Sequence, residues 1–244
     1  MSPALTYLDF LALFVVLPLS LLTVASAVRY RPDRASRRVQ VGGVALMVAL
    51  ALVYTTPWDN YLIARGVWFY GEGTVFMRIG EMPLGEYLFV VFQSVMVGVW
   101  TFALDGRVDP TIGHSWRDRL LGGLAGLAVG AVGVAFLLGP PETLYLGAIF
   151  TWAAPVFALQ WAVGWRYLVA VRRRVAAMLA VPVVYLSTID RYAIEQGLWT
   201  ISPEYSTGLT VAGLPVEEGA FFLCTSLFVV QALVLLRWVI ARWG

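Results

Sequence analysis

Seven long apolar segments constrain this chain more than anything else in it. They lie near residues 4–28, 39–57, 83–104, 119–139, 142–165, 173–189 and 215–238. Each is close to the roughly 20 residues that an α-helix needs to cross a bilayer. In hydrocarbon every backbone N–H and C=O must find its partner within the protein, so apolar runs of this length read as transmembrane helices. Composition agrees. Of 244 residues, 60% are hydrophobic and 13% charged, where soluble domains carry about 25% charged residues. The expected fold class is an all-α membrane protein with seven transmembrane helices. Pro18 and Pro155 fall inside the first and fifth segments, where neighbouring groups can satisfy the freed carbonyls.

All 17 basic residues are Arg. Arg29, Arg31, Arg34, Arg37, Arg38, Arg107, Arg117, Arg119, Arg166, Arg172, Arg173, Arg174, Arg237 and Arg242 follow helices 1, 3 and 5 or lie at the C-terminal end. Only Arg65, Arg78 and Arg191 lie on the other side. The positive-inside rule then puts the N-terminus outside and the C-terminus inside, as an odd number of spans requires. The expected location is the cell membrane, multi-pass, with membrane lipid as a partner. A net charge of +2 gives no reason to expect a nucleic-acid partner. With no Lys, a retinal Schiff base is excluded. Cys224 stands alone in an apolar run and reads as a small buried side chain. The first apolar segment is too long for a cleavable signal peptide and lacks a basic start, so none is expected.

A motif occurs twice. Residues 54–68 read YTTPWDNYLIARGVW and residues 185–199 read YLSTIDRYAIEQGLW. At one offset Tyr54, Asp59, Tyr61, Gly66 and Trp68 match Tyr185, Asp190, Tyr192, Gly197 and Trp199. After a one-residue slip, PLGEYLF at 83–89 matches PVEEGAF at 215–221. Four crossings separate the copies, so both have the same orientation. This is a parallel repeat about an axis along the membrane normal. The expected domains are a first three-helix module at 1–104, a basic loop and linker helix at 105–141, and a second module at 142–244. The linker helix is rich in Gly and Ala (LGGLAGLAVGAVG), which allows close helix packing.

The repeated acids carry the chemistry. Asp59 and Asp190 are expected to end helices 2 and 6, and Glu86, Glu217 and Glu218 to begin helices 3 and 7. Acids there gain from the helix dipole, and Pro83 and Pro215 suit helix starts. Capping alone does not require Asp, Tyr, Gly and Trp at matching spacing twice, and ionisable groups near membrane depth point to function. Two carboxyls sharing a poorly hydrated site push their pKa values apart and leave one protonated. Such a carboxyl is the general acid that an unactivated double bond needs, and a partner carboxylate can later remove a proton. Aromatic faces stabilise cations, and Tyr61, Trp68, Phe69, Tyr70, Tyr192, Trp199, Phe221 and Phe222 surround the acids in sequence. Interfacial aromatics are common for other reasons. Arg65 and Arg191, at non-matching positions, can pair with nearby acids. His114 has no second His and no Cys near it, so no metal site is expected.

With Pro215-Val216-Glu217-Glu218, its echo Pro83-Leu84-Gly85-Glu86, and the two Asp–Tyr–Gly–Trp segments before them, the chain resembles the membrane-integral lycopene cyclases. These occur as heterodimers of small subunits or as one fused chain. The resemblance covers nearly the whole sequence. It implies cyclisation of the ends of lycopene to β-ionone rings, giving β-carotene through γ-carotene, with lycopene and other carotenoids as ligands and no flavin or other cofactor. On this reading Glu217, Glu218, Glu86, Asp59 and Asp190 are the catalytic candidates, with Glu218 or Glu217 as proton donor. Tyr61, Trp68, Tyr192, Trp199, Pro215, Phe221 and Phe222 would bind substrate. The first copy departs from the pattern at Gly85, where the second has Glu217, and this favours one composite site over two equivalent ones.

Three other functions fit parts of the sequence, one of them a non-catalytic carotenoid- or retinal-binding scaffold, which would tolerate loss of the acids while still retaining pigment. A hydratase of acyclic carotenoids would begin with the same protonation but trap the cation with water. A small transporter could share the three-plus-one-plus-three layout. It should carry polar groups near its helix centres, which read here as almost devoid of them. The oligomeric state is not legible.

Overall fold

A computed structural model describes residues 5–29, 33–104 and 106–243. Ala4, the expected start of the first helix, and Arg31 lie outside the described residues, as do the expected domain ends at 1, 105 and 244. Seven helices are long and apolar enough to cross a membrane. They are α1 (Tyr7–Arg29), α2 (Arg34–Ala64), α3 (Leu84–Ala103), α4 (Trp116–Leu137), α5 (Leu144–Ala170), α6 (Arg172–Glu195) and α7 (Val216–Trp243). The expected membrane class and number of spans stand. In α1 the stretch Ala12–Val16 is π-helical, and the Leu17 N–H reaches Ala12 O. The wide turn falls just before Pro18, which has no N–H to donate.

Of the boundaries that differ from the sequence reading, two bear on the acids. Helices expected at 39–57 and 173–189 run on to Ala64 and Glu195. Asp59 and Asp190 therefore sit inside helices rather than at their ends. The polar residues there lower the hydropathy that marks a span, but in low dielectric the backbone keeps its helical bonds. Both helices also pass through a proline, Pro57 in α2 and Pro182 in α6.

Glycine ends both. Gly66 has φ +75° and Gly197 φ +71°. The Gly66 N–H bonds Ile63 O and the Val67 N–H bonds Leu62 O, while Gly197 and Leu198 bond Ile194 and Ala193. This is the Schellman stop, which favours glycine at the left-handed position. The repeated glycine is thus a helix stop.

Short strands follow each stop, and the sequence reading expected none. β1 (Trp68–Tyr70), β2 (Arg78–Ile79) and β3 (Met82–Pro83) follow α2; β4 (Trp199–Ile201), β5 (Thr210–Val211) and β6 (Leu214–Pro215) follow α6. β2 pairs with β3, and β5 with β6. β1 pairs antiparallel with β4, in register Trp68↔Ile201, Phe69↔Thr200 and Tyr70↔Trp199. At its ends the Gly71 N–H bonds Leu198 O at 3.0 Å and the Ser202 N–H bonds Val67 O at 2.8 Å. The Tyr54 hydroxyl donates to Trp152 O at 2.7 Å, and the Tyr185 hydroxyl to Phe14 O at 2.7 Å. The Tyr7 N–H bonds Thr74 O at 2.9 Å, and the Tyr145 N–H bonds Tyr205 O at 3.0 Å.

α4 packs along α5 through its glycines. A Cβ at Gly126 would run into the Ala158 backbone, and one at Gly133 into Thr151. Small residues at such crossings let backbones approach.

The helix centres are less apolar than their hydropathy implies. Gln93, Ser94, Gln160, Ser226 and Gln231 are buried within the bundle. Gln93 Nε2 donates to Thr225 Oγ1 at 2.7 Å, Gln160 Nε2 to Phe228 O at 2.8 Å, and Trp161 Nε1 to Gln231 Oε1 at 3.0 Å. Single glutamines barely move the mean of a long apolar run, which is why they escaped notice. They tie helix to helix, so the expectation of apolar helix centres is corrected.

Candidate active site

The C-terminal ends of α2 and α6 and the N-terminal ends of α3 and α7 converge beneath the β1–β4 pair. There the structure encloses a cavity of about 50 Å³. A single water requires roughly 10–15 Å³. Four carboxyls line it: Asp59 from α2, Glu86 from α3, Asp190 from α6 and Glu218 from α7. Asp59, Asp190 and Glu218 are each less than 7% exposed. The remaining lining is largely aromatic and includes Tyr7, Phe10, Trp58, Trp68, Phe89, Tyr145, Trp199, Phe221 and Phe222.

Each acid is held differently. The Tyr145 hydroxyl donates to Glu218 Oε1 at 2.9 Å. The Tyr70 hydroxyl donates to Glu86 Oε2 and itself accepts from Trp68 Nε1 at 2.9 Å. Burial and the neighbouring Glu86 charge hold the Tyr70 phenol well above its usual pKa, so the hydroxyl keeps its proton. Trp199 Nε1 donates to Asp190 Oδ1 at 3.1 Å, while Asp190 Oδ2 is buried without a partner among the described residues. Trp68, which matches Trp199, turns to Tyr70 instead; the second copy has Ile201 at the position of Tyr70, and there the indole turns to the acid. The Arg78 guanidinium lies 5.1 Å from the centre of the Tyr70 ring.

The rings are close enough to act together. Trp58 lies parallel to Phe221 at 5.9 Å between centroids, and Trp68 stands 5.5 Å from Tyr145. Tyr7 is 5.1 Å from Trp199 and 6.1 Å from Tyr70. Ring faces at this range attract a cation, most strongly where water is excluded.

Of the residues singled out in sequence, Asp59, Glu86, Asp190, Glu218, Trp68, Trp199, Phe221 and Phe222 line this cavity. Four others do not. Glu217 is fully buried, but it faces the α6–α7 connection, where its Oε1 accepts from Thr207 N at 2.8 Å and Thr207 Oγ1 at 2.7 Å. Adjacent residues on a helix point about 100° apart, so Glu217 and Glu218 cannot both face one small cavity. Tyr61 is 58% exposed on the outside of α2. Tyr192 packs its ring 5.2 Å from Phe14, away from the acids. Pro215 pairs with Thr210 in the β5–β6 hairpin. Arg191 pairs with Glu195 at 2.7 Å, not with a cavity acid, and Arg65 lies 5.8 Å from the Tyr205 ring centre. Cys224 is buried, as expected.

Tyr7, Phe10, Trp58, Phe89 and Tyr145 were missed. A signal existed for two of them. Tyr7 precedes Phe14 by the same spacing as Tyr145 precedes Trp152, and Phe14 and Trp152 receive the matching Tyr185 and Tyr54 bonds.

Comparison with known proteins bears on the same residues. The family model described as lycopene cyclase matches in two stretches, residues 5–103 and 142–236. The chain is 55% identical over 240 residues to a lycopene beta-cyclase of Halobacterium salinarum, covering 98% of each. It is 33% identical over 199 residues to a bifunctional lycopene cyclase/phytoene synthase of Sporisorium reilianum, covering 77% of this chain and 29% of that one. A protein of the same description from Arthroderma gypseum is 30% identical over 214 residues, with 79% and 36% covered. No solved structure gives a significant match. The chain belongs to the lycopene cyclase family.

Proposed function

We infer that this protein is a lycopene β-cyclase that closes the ends of lycopene without a redox step. The observation that carries this reading is the cavity in which four carboxyls from both halves of the chain meet under a cover of aromatic rings. A protonated carboxyl, Glu218 in this reading, adds its proton to the terminal double bond of the polyene. A tertiary cation forms, and the electrons of the neighbouring double bond close a six-membered ring. A second carboxylate, Glu86 or one of the two Asp residues, takes a ring proton and sets the β-type double bond. One proton enters the substrate and one leaves, so atoms and charge balance. Tyr145 and Tyr70 position the two glutamates. Trp58, Trp68, Trp199 and Phe221 present ring faces to the cation. The rings must part to admit a polyene end, since the cavity holds only about 50 Å³.

The chain is read as two parallel three-helix modules, 1–104 and 142–244, joined by a loop and α4. The two stretches of the family match support this. So do the reciprocal bonds of Tyr54 and Tyr185, and of Tyr7 and Tyr145. The Arg-rich end faces the cytoplasm in this reading, and the acid cluster lies near the outer face of the cell membrane. Lycopene, whose extended length is comparable to the roughly 30 Å hydrocarbon core, reaches the cavity laterally from lipid.

The test is expression in a lycopene-accumulating bacterial host, with pigments separated by chromatography. Wild type converts lycopene to β-carotene, and Glu218→Gln at equal membrane abundance leaves it untouched. Unconverted lycopene with well-expressed wild type would overturn the cyclase assignment.

A further inference from the structure

A second, larger cavity lies at the opposite end of the bundle. Its volume is about 710 Å³, within the roughly 300–1,000 Å³ of ligand-sized clefts. It shares no lining residue with the acid cavity. Along α7, Phe222 at one cavity and Gln231 at the other are nine residues apart, about 14 Å at 1.5 Å per residue.

The lining is apolar with a cation at one end. Leu121 and Ala125 of α4, Trp165 of α5, and Val175, Ala176 and Leu179 of α6 line the slot. The α6 residues continue a stripe that starts at Arg172, at spacings of three and four, so all share one helix face. Arg172 also lines the cavity, and its Nη1 donates to Val169 O at 3.2 Å. Among the described residues no carboxylate pairs with it. The acid at the start of α4, Asp118, is already taken by Arg166 at 3.3 Å and by the Ser115 cap.

An apolar slot ending at an unopposed guanidinium matches one ligand chemistry. A neutral hydrocarbon has no use for the cation, and a soluble anion has none for the slot. We propose that this cavity binds one anionic phospholipid, with an acyl chain between Leu121 and Leu179 and the phosphate at Arg172. The surrounding Arg-rich end is the side on which basic pockets between helices collect anionic headgroups.

The experiment is native mass spectrometry of the detergent-purified full chain, titrated with dioleoyl phosphatidylglycerol or dioleoyl phosphatidylcholine. One phosphatidylglycerol per protein is expected, bound about fivefold more tightly than phosphatidylcholine, the factor due to one cation near an anionic headgroup. Arg172→Gln removes that preference, while Arg29→Gln, at the far end of α1, keeps it. Ala176→Trp fills the slot and lowers the binding of both lipids. Because Arg172 is exposed, its variant tests the proposal even if Ala176→Trp fails to fold. Equal binding of the two lipids by wild type, or an unchanged preference in Arg172→Gln, would overturn the proposal. Displacement of phosphatidylglycerol by stoichiometric lycopene would also overturn it and make the slot a polyene site.

Discussion

Tyr145 and Glu218 meet through a 2.9 Å hydrogen bond between two buried side chains, whereas their counterparts Tyr7 and Glu86 do not. Glu86 takes its bond from Tyr70. Matching acids in the two halves thus receive their hydroxyls from different elements, one from a helix and one from a strand. The two glutamates are not interchangeable, and a donor and an acceptor of protons need not be.

Tyr145→Phe keeps the ring and deletes the donor. As Glu218 gives up its proton its carboxylate becomes charged, and a hydrogen bond to a charged group is worth about 1.5–3 kcal/mol, so the cyclisation rate should fall about tenfold to a hundredfold, with KM for lycopene little changed. Initial rates in membranes with matched protein levels test this. A rate within twofold of wild type would remove Tyr145 from the positioning of Glu218.

The adjacent acids should separate cleanly. Glu218→Gln abolishes ring closure while the protein remains folded. Glu217→Gln weakens the two bonds from Thr207, lowering thermal stability in detergent while the product remains β-carotene. Loss of activity in a stably folded Glu217→Gln would return Glu217 to the catalytic set.

The hydroxyls of Tyr54 and Tyr185 brace helices across the molecule, each at 2.7 Å to a backbone carbonyl. Tyr54→Phe and Tyr185→Phe should each cost about 0.5–1.5 kcal/mol of stability, and because the two bonds share no residue the losses should add. Unfolding of the single and double variants measures this.

One cavity among the described residues holds the acids of both halves. A polyene with two ends must then present them in turn, and the singly closed product must leave or reverse between turnovers. A time course with lycopene in large excess should show γ-carotene rising above the enzyme concentration before β-carotene. β-Carotene appearing from the start, without that rise, would mean that both ends close within one binding event.

The repeat made the acids and the two tryptophans legible, because a carboxyl and an indole recurring at one offset stand out from an apolar background. The same repeat misled at Tyr61 and Tyr192, which recur but sit outside the cavity. Repetition preserves helix faces as faithfully as it preserves chemistry, and a sequence does not say which face looks inward. Tyr145 and Tyr7 escaped because their offset differs from that of the motif, reflecting different loop lengths in the two halves. Trp58 was hidden for the opposite reason, since its position in the second copy is Ile189. The β1–β4 pair was invisible because three residues are too few to display alternation. Its register depends on two segments more than a hundred residues apart.

That pairing has a consequence for where damage can occur. Asp59 and Glu86 come from one side of the β1–β4 seam and Asp190 and Glu218 from the other. No segment on one side of it carries the whole set of reacting groups. A side chain at Gly71, whose Cβ would run into Gly197 O, or a proline at Ser202, which would lose the N–H bond to Val67 O, would leave every acid in place and still silence the enzyme. It would do so by letting the two edges slip past each other. In this molecule the most vulnerable part of the chemistry is a joint.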